Sequence, residues 1–486
     1  MGNESAQILL SNLIRGEETV KEKLVYLFKN TGLLIVSNFS SKILVFLLVP
    51  LYTSVLTTEE YGSYDLLYNT MLMLLPIITA NITDSVMRFS INTNTDNQKK
   101  TLAVGIKYIL LSIILLTAGM LIFTALTKSE MMRNYLIPFL LLYICYVLQQ
   151  LLIQFAKGID DIKGLSISGV LGTAVMLCGN LYFLLVAKMG LYGYFYANIL
   201  ASFVPALFLF IHGRMYHFLP RPKALFTQTE YEKEMLRYCL PLTVNTMSWN
   251  INNVSNRYVI TWICGIAANG IFSVAYKIPA ILNAIQVIFI QAWQLSAIRE
   301  YDPEDKDGFF SGTYQGCHTV MVILCSSIIV GSRILAHILF AKNFYAAWEY
   351  VPALLIYIVF NTLSGTIGTV FSAVKDPIAP TKSGVIGAIA NVVLDIILVF
   401  AIGLHGASIA TVISSIVIWA MRMQYAKKYI VLKINLRRHI LEYALLIVQA
   451  LLMTLITHPI GYCAQLFVWG LLVVLNVKQL KKVIKK

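Results

Sequence analysis

Six charged residues lie within stretches otherwise too apolar to hold them, and they are the residues whose chemistry needs explaining. Lys42, Arg257 and Lys277 are cations inside long hydrophobic runs, and Asp84, Arg88 and Asp395 join them further along the chain. A Lys or Arg at mid-depth in hydrocarbon costs about 2.5–3.5 kcal/mol, so each should face a watery cavity or a partner. Fixed cations in a confined cavity favour an anionic ligand. Arg would grip it bidentately and Lys would act as a point charge that lets go more easily. Lys42, Arg257, Lys277 and Arg88 are therefore the candidate ligand-binding residues, with snorkelling or a buried ion pair as the bland alternatives. Asp84 and Arg88 are four apart on one helical face, which predicts a local salt bridge. Asp84 and Asp395 are also the candidate coupling-ion residues. A buried carboxylate with no cation beside it takes up a proton readily. Asp65 is a further acid, near one end of its run.

The elements that carry these charges are long. With 58% hydrophobic residues and a mean hydropathy of +0.72, the 486-residue chain is predicted to be an all-α polytopic membrane protein. The apolar runs are continuous and do not alternate every second residue, which argues for helices over a barrel. About 20 apolar residues cross the hydrocarbon layer. The opening pair, 31–56 and 63–89, flanks the polar turn Thr57-Thr58-Glu59-Glu60-Tyr61-Gly62 as a transmembrane hairpin. Further spans are expected near 103–127, 134–156, 165–187 and 191–212. A second set follows near 236–264, 267–297, 309–340, 345–373, 380–402, 405–425, 439–457 and 459–477, giving about 14 in all. Pro50, Pro76, Pro205 and Pro279 fall inside spans, where they can bend a helix.

Charge sets the orientation. With the N-terminus placed inside, the inner segments hold 30 of the 38 Lys and Arg, and the outer ones hold only Lys128, Arg133, Lys188, Arg333 and Lys342. That asymmetry is the positive-inside pattern, so both termini are expected to be cytoplasmic. It also accounts for the net charge of +14 without invoking nucleic acid.

The chain repeats itself. Tyr61-Gly62-Ser63-Tyr64 matches Asn269-Gly270-Ile271-Phe272, Ser168 to Gly172 matches Ser383 to Gly387, and Gly190 to Gly193 matches Gly403 to Gly406. Asp395 falls on Asn180, and Lys277 on Asn69. Six helices per copy is an even number, so the two copies share an orientation and are related by an axis along the membrane normal. The expected organisation is a cytoplasmic segment 1–30, an N-lobe 31–212 and a cytoplasmic connector 213–235. A C-lobe 236–425, two further helices in 426–477 and a basic tail 478–486 complete it. The extra pair could cover the bundle or line a groove for a lipid tail.

The hairpin sequence Pro50-Leu-Tyr-Thr-Ser-Val-Leu-Thr-Thr-Glu-Glu-Tyr-Gly-Ser-Tyr-Asp-Leu-Leu67 resembles the opening signature of Wzx-type polysaccharide transporters. These belong to the multidrug/oligosaccharidyl-lipid/polysaccharide flippase superfamily. The doubled six-helix plan and the extra C-terminal pair extend the resemblance over the whole chain. It implies two lobes around a cavity that opens alternately to each face and carries an undecaprenyl-diphosphate-linked oligosaccharide for O-antigen, capsule or another surface polysaccharide. The diphosphate would give the cations their purpose, H⁺ or Na⁺ would be the coupling ion, and polysaccharide polymerase machinery would be a partner. The alternatives are a cation-coupled multidrug exporter of the same superfamily and a lipid II-type precursor flippase. A membrane-embedded glycosyltransferase or polymerase would normally show a large extracellular loop, and every outer loop here is short.

Other chemistry finds no footing in the sequence. There is no Walker A sequence, G-x-S-x-G, H-E-x-x-H or G-x-G-x-x-G, so a non-enzyme without cofactor or metal is expected. Seven cysteines stand singly, mostly in apolar runs, and suit neither a disulfide framework nor zinc. Buried small hydrophobes are the expected role for them. The polar first 30 residues do not read as a cleaved signal peptide.

Overall fold

The computed structural model describes residues 46–91, 93–219, 229–456 and 459–484, and among these every regular element is helical. Helix α1 (Val49–Val55) and α2 (Thr58–Ile78) meet at the polar turn seen in the sequence, and that turn is a capping box. Thr57 Oγ1 accepts from the Glu60 N–H at 3.1 Å, while Glu60 Oε2 accepts from the Thr57 N–H at 2.8 Å. Two N–H groups that lack intrahelical partners are thereby satisfied, and the two glutamates sit at the positive end of the helix dipole.

The single span expected over 63–89 is broken. Ala80 and Asn81 adopt left-handed φ values of 51° and 53°, and α3 (Ile82–Ser90) leaves α2 at 60°. Pro76 removes a backbone donor within α2, but α2 runs on through it to Ile78, and the bend sits at the left-handed Ala80–Asn81 pair. Beyond it run α4 (Thr95–Thr127), α5 (Glu130–Gly158) and α6 (Ile162–Asn180), which continues as a π-helical turn Leu181–Val186, then α7 (Gly190–His212). The second series is α8 (Thr229–Cys264), α9 (Ile266–Ala275), α10 (Pro279–Arg299), α11 (Phe309–Leu339), α12 (Val351–Ala373), α13 (Ile378–Ile402) and α14 (Leu404–Ala426). Helices α15 (Leu436–Leu455) and α16 (Pro459–Ile484) close the chain. Two expected spans differ in detail: 267–297 is split between α9 and α10 just before Pro279, and residues 342–350 form a 3-10 segment ahead of α12. Among the described residues ten helices are long and apolar enough to cross a bilayer, or eleven with α2 and α3 as one bent span. The protein is multi-pass. Its outer helix faces expose Leu126, Trp262 and Phe400, as a lipid-facing surface should.

The internal repeat is visible as packing between equivalent residues. Gly62 of α2 lies against Gly270 of α9, 208 positions on, and a Cβ on Gly270 would come within 1.9 Å of the Thr58 carbonyl oxygen. The Asn269 amide donates to the Gly62 carbonyl at 3.1 Å. In the first copy Gly172 of α6 packs on Pro205 of α7, and in the second Gly387 of α13 packs on Ile418 of α14. Small residues let helices approach closely where no water is present to drive them together.

Helix α12 is the enclosed one: its hydrophobic window is 78% buried, packed by α10, α11 and α14. Helices α15 and α16 pack on α11 through a buried polar cluster. The His318 and His439 rings stack at 3.8 Å, and Glu442 accepts from Arg438 Nε at 2.8 Å. Asn476 accepts from both Thr319 and Arg438. All seven cysteines are free. Cys239, Cys317 and Cys325 are buried as expected, but Cys178, Cys264 and Cys463 are exposed.

Candidate functional site

A cavity of about 1300 Å³ lies among α2, α8, α10, α12, α13 and α14. Its rim is formed by exposed Ser372, Lys375, Pro377 and Thr381 in and beside the α12–α13 connection, on the face that carries the Lys/Arg-rich loops. Its wall is mostly neutral and polar, with Asn69, Asn256, Asn283, Asn361, Asn391 and the hydroxyls of Ser364, Thr411, Ser414 and Ser415. Amides and hydroxyls at this density can trade hydrogen bonds with sugar hydroxyls. Among the described lining residues the cations are Arg257, Lys375 and Arg422, against one carboxylate, Asp376. Asp376 is already engaged. Tyr429 donates to it at 2.8 Å and the Ile378 N–H at 2.8 Å, and the Tyr429 hydrogen bond above all holds its carboxyl below the ordinary value.

One lining residue, Arg257, forms an ion pair between the two halves of the repeat. Arg257 of α8 donates through Nε to Asp65 of α2 at 2.9 Å. The same carboxylate oxygen accepts from the Ser273 hydroxyl of α9 at 2.6 Å. Ser273 is the repeat equivalent of Asp65, 208 positions on, so the contact straddles the axis relating the two copies. Beside it α1, α2 and α7 bring together a tyrosine cluster. Tyr52 and Tyr61 stack at 4.9 Å, Tyr194 meets both edge-on, and Phe344 adds an edge from the second half. Lys277 Nζ stands 6.0 and 5.9 Å from the Tyr52 and Tyr61 ring centres, within cation–π range. The described residues place no carboxylate within 4.0 Å of it.

Asp395 is fully buried on α13 within a set of neutral partners. Its Oδ2 accepts from Asn391 at 3.1 Å, and its Oδ1 has no partner among the described residues. Asn391 donates in turn to Asn256 at 2.6 Å and accepts from Ser414 at 3.1 Å, and Asn256 donates to Thr411 at 2.7 Å. Helices α8, α13 and α14 thus meet at Asn391, which alone among the described residues hydrogen-bonds the Asp395 carboxylate. The i, i+4 spacing of Asn391 and Asp395 was legible in the sequence, but Asn256 arrives from 135 residues away.

A model of the family of polysaccharide biosynthesis proteins matches residues 27–298, more than half of the chain. The chain belongs to that family. Among solved structures, this polysaccharide biosynthesis protein is similar to the lipid II flippase MurJ in an inward closed conformation, with a TM-score of 0.72 at 13% identity over 92% of this chain and 99% of that one. It is also similar to an inward-facing multidrug resistance MATE transporter of the MOP superfamily (0.65, 16%, covering 80% and 94%). A third similar structure is a MOP superfamily transporter from Pyrococcus furiosus (0.54, 14%, covering 81% and 94%). At such identities these likenesses show the fold. No curated protein sequence matches. The chain is thus a multi-pass membrane protein of the polysaccharide biosynthesis family, with the fold that these flippase and transporter structures share.

The candidate residues separate in space. Lys42 lies outside the described residues. Arg257 lines the cavity, with Asp65 as its partner. Asp84 and Arg88 do not form the expected salt bridge. Asp84 accepts from Asn81 at 2.8 Å and from Gln154 at 3.1 Å, while Arg88 is exposed near the end of α3 and is not among the cavity-lining residues. The bend at Ala80–Asn81 is the reason, since it turns the Asn81 amide back onto the Asp84 carboxylate.

The residue that sequence reasoning missed is Arg422. By sequence it is one of the 30 Lys and Arg of the inner segments, yet it is 7% exposed, within α14, and on the cavity wall. The overlooked signal is its position four residues before the end of an apolar span.

Proposed function

We propose that the protein moves a polyprenyl-diphosphate-linked oligosaccharide across the bacterial cytoplasmic membrane by alternating access, coupled to an H⁺ or Na⁺ gradient, in the assembly of a surface polysaccharide. The observation that carries this reading is the cavity wall: amides and hydroxyls for the sugars, Arg257, Lys375 and Arg422 against a single occupied carboxylate, and a rim on the basic face. That face is taken as cytoplasmic from its loop charge. The Asp65–Arg257–Ser273 contact and the tyrosine cluster hold the opposite face shut, so the arrangement corresponds to a state open to loading. Movement to the other state has to break the ion pair, which frees Arg257 at the moment the substrate's charge needs it.

Asp395 supplies the coupling site in this reading. A buried carboxylate with one amide donor and one unpartnered oxygen among the described residues suits a single positive charge, a proton or Na⁺, and that donor, Asn391, is tied in turn to α8 and α14. A multidrug exporter would need an acidic, aromatic cavity for cationic drugs, and the lining has the opposite sign.

The decisive experiment reconstitutes the purified protein in proteoliposomes and follows headgroup translocation of a lipid-linked oligosaccharide with an impermeant lectin or oxidant. Gradient-dependent loss of accessible headgroup is expected. Export of a cationic dye with no lipid translocation would overturn the proposal.

A further inference from the structure

We propose that Arg422 is an anion-binding residue, the point at which the diphosphate of the carried lipid is first held at the basic-face rim of the cavity. The inference rests on the function proposed above and names a residue for it. Arg422 is buried, and no carboxylate lies within 4.0 Å of it among the described residues. Its Nε donates to Ser383 Oγ at 3.1 Å and its Nη1 to the Ser364 carbonyl at 3.1 Å. A guanidinium carries five N–H donors, and the two hydrogen bonds leave more than half without a partner among the described residues, on a side chain that lines the cavity. A buried cation without a counter-charge is unfavourable, and an anionic ligand relieves that cost.

The repeat shows that the fold does not require this charge. At the offset of 213 that aligns α7 with α14, Arg422 falls on Leu209, which is fully buried. Ser383 falls on Ser168, and both hydroxyls back-bond to the carbonyl three residues earlier. The serine is thus shared scaffolding, and the arginine is particular to the second copy. Gly368 makes room for it, because a Cβ there would lie 3.2 Å from Arg422 Nη1.

Depth selects the ligand. Arg422 is four residues from the end of α14, about 6 Å along the axis at 1.5 Å per residue. That places it near the headgroup level of the basic-face leaflet, where the diphosphate of a resting polyprenyl lipid lies. Lys375 is exposed on the same rim and can make the first long-range contact. The fixed fork of Arg422 then takes phosphate oxygens bidentately. An acidic sugar would present similar carboxylate chemistry, but would sit deeper, among the amides.

The test uses the full chain in nanodiscs of uncharged lipid. Geranyl diphosphate binding is measured directly, with inorganic pyrophosphate and glucuronate as competitors. Wild type is expected to bind geranyl diphosphate, pyrophosphate to compete, and glucuronate not to. Arg422→Gln should weaken binding roughly ten- to a hundredfold, as expected for losing charge-assisted hydrogen bonds, with Arg422→Lys in between. Gly368→Val keeps the charge but takes the guanidinium's space, and should weaken binding as well, so the idea does not depend on one variant folding. Unchanged binding in folded Arg422→Gln or Gly368→Val protein would overturn it. Glucuronate competing as well as pyrophosphate would also overturn it, in favour of a sugar acid. The proteoliposome assay separates the two proposals: full translocation by Arg422→Gln sinks this one alone, whereas a wild type that moves no lipid sinks the function itself.

Discussion

At the scale of the residue, Arg257 and Lys277 look alike in sequence and differ in the structure. Arg257 is neutralised by Asp65 with both side chains largely buried, so removing only the arginine leaves an uncompensated carboxylate. Breaking one side of such a pair costs on the order of 3–5 kcal/mol, and removing both is far milder. Arg257→Ala is therefore expected to melt well below wild type in thermal unfolding of the purified protein, with Arg257→Ala/Asp65→Ala recovering most of the loss. Equal melting of the single and double variants would exclude the ion pair as a stabilising contact. Lys277 faces tyrosine rings and is not among the residues that line the cavity, so a role for its charge in transport is an expectation to be tested. Lys277→Arg should keep more transport than Lys277→Gln, since a cation–π and phosphate site needs charge and not merely length. Asp395→Asn should leave folded protein whose transport no longer follows the ion gradient. Full gradient dependence in that variant would make Asp395 structural.

At the scale of the element, two features set the geometry. The first is the Gly62–Gly270 contact, where backbone meets backbone. Gly270→Val would force α2 and α9 apart, and overpacking of this kind costs about 1–3 kcal/mol. Reduced monodisperse yield and melting temperature are expected, while Gly312→Ala in α11, where a Cβ meets nothing within 4 Å, should leave both unchanged. The second is the bend between α2 and α3. A left-handed φ costs about 1–2 kcal/mol for an ordinary residue and more for a β-branched one. Ala80→Gly should be tolerated and Ala80→Val should lower thermal stability. A tolerated valine would mean that the bend can straighten without loss.

At the scale of the whole molecule, the claim is that one face is closed and the other open. The Asp65 and Ser273 side chains touch across the closed face. Cysteines at these two positions, bridged by a short bifunctional thiol reagent, are expected to stop transport and to release it on reduction. Undiminished flux through the bridged protein would show that this face does not need to open. Topology provides an independent check. Cysteines placed beside Lys100 and Lys427 should resist impermeant reagents added outside cells, and one beside Lys188 should react. The reverse pattern would turn the molecule over, and with it the direction of transport.

What the sequence determined by itself was what depends on local composition and on order along the chain. Continuous apolar runs dictate helices in hydrocarbon, the asymmetry of Lys and Arg dictates which loops share a face, and matched glycines at near-constant spacing announce a repeat. The Thr57–Glu60 turn is equally local, three residues apart, and was visible in the sequence as a polar turn; the Asn391–Asp395 pair is just as local but went unread. The tertiary structure decided which distant groups meet. Asp65 and Arg257 are 192 residues apart, and only the packing of α2 against α8 and α9 makes them partners. Arg422 looked like one more basic residue at a span's end until α12 and α13 closed around it through Ser364 and Ser383. The Asp84–Arg88 pair failed for the converse reason: helical spacing puts two residues on one face, but a bend just upstream offered the carboxylate nearer donors. Burial and charge pairing are properties of three-dimensional neighbours, so the chemistry of a cavity built from six helices emerges only when they are assembled.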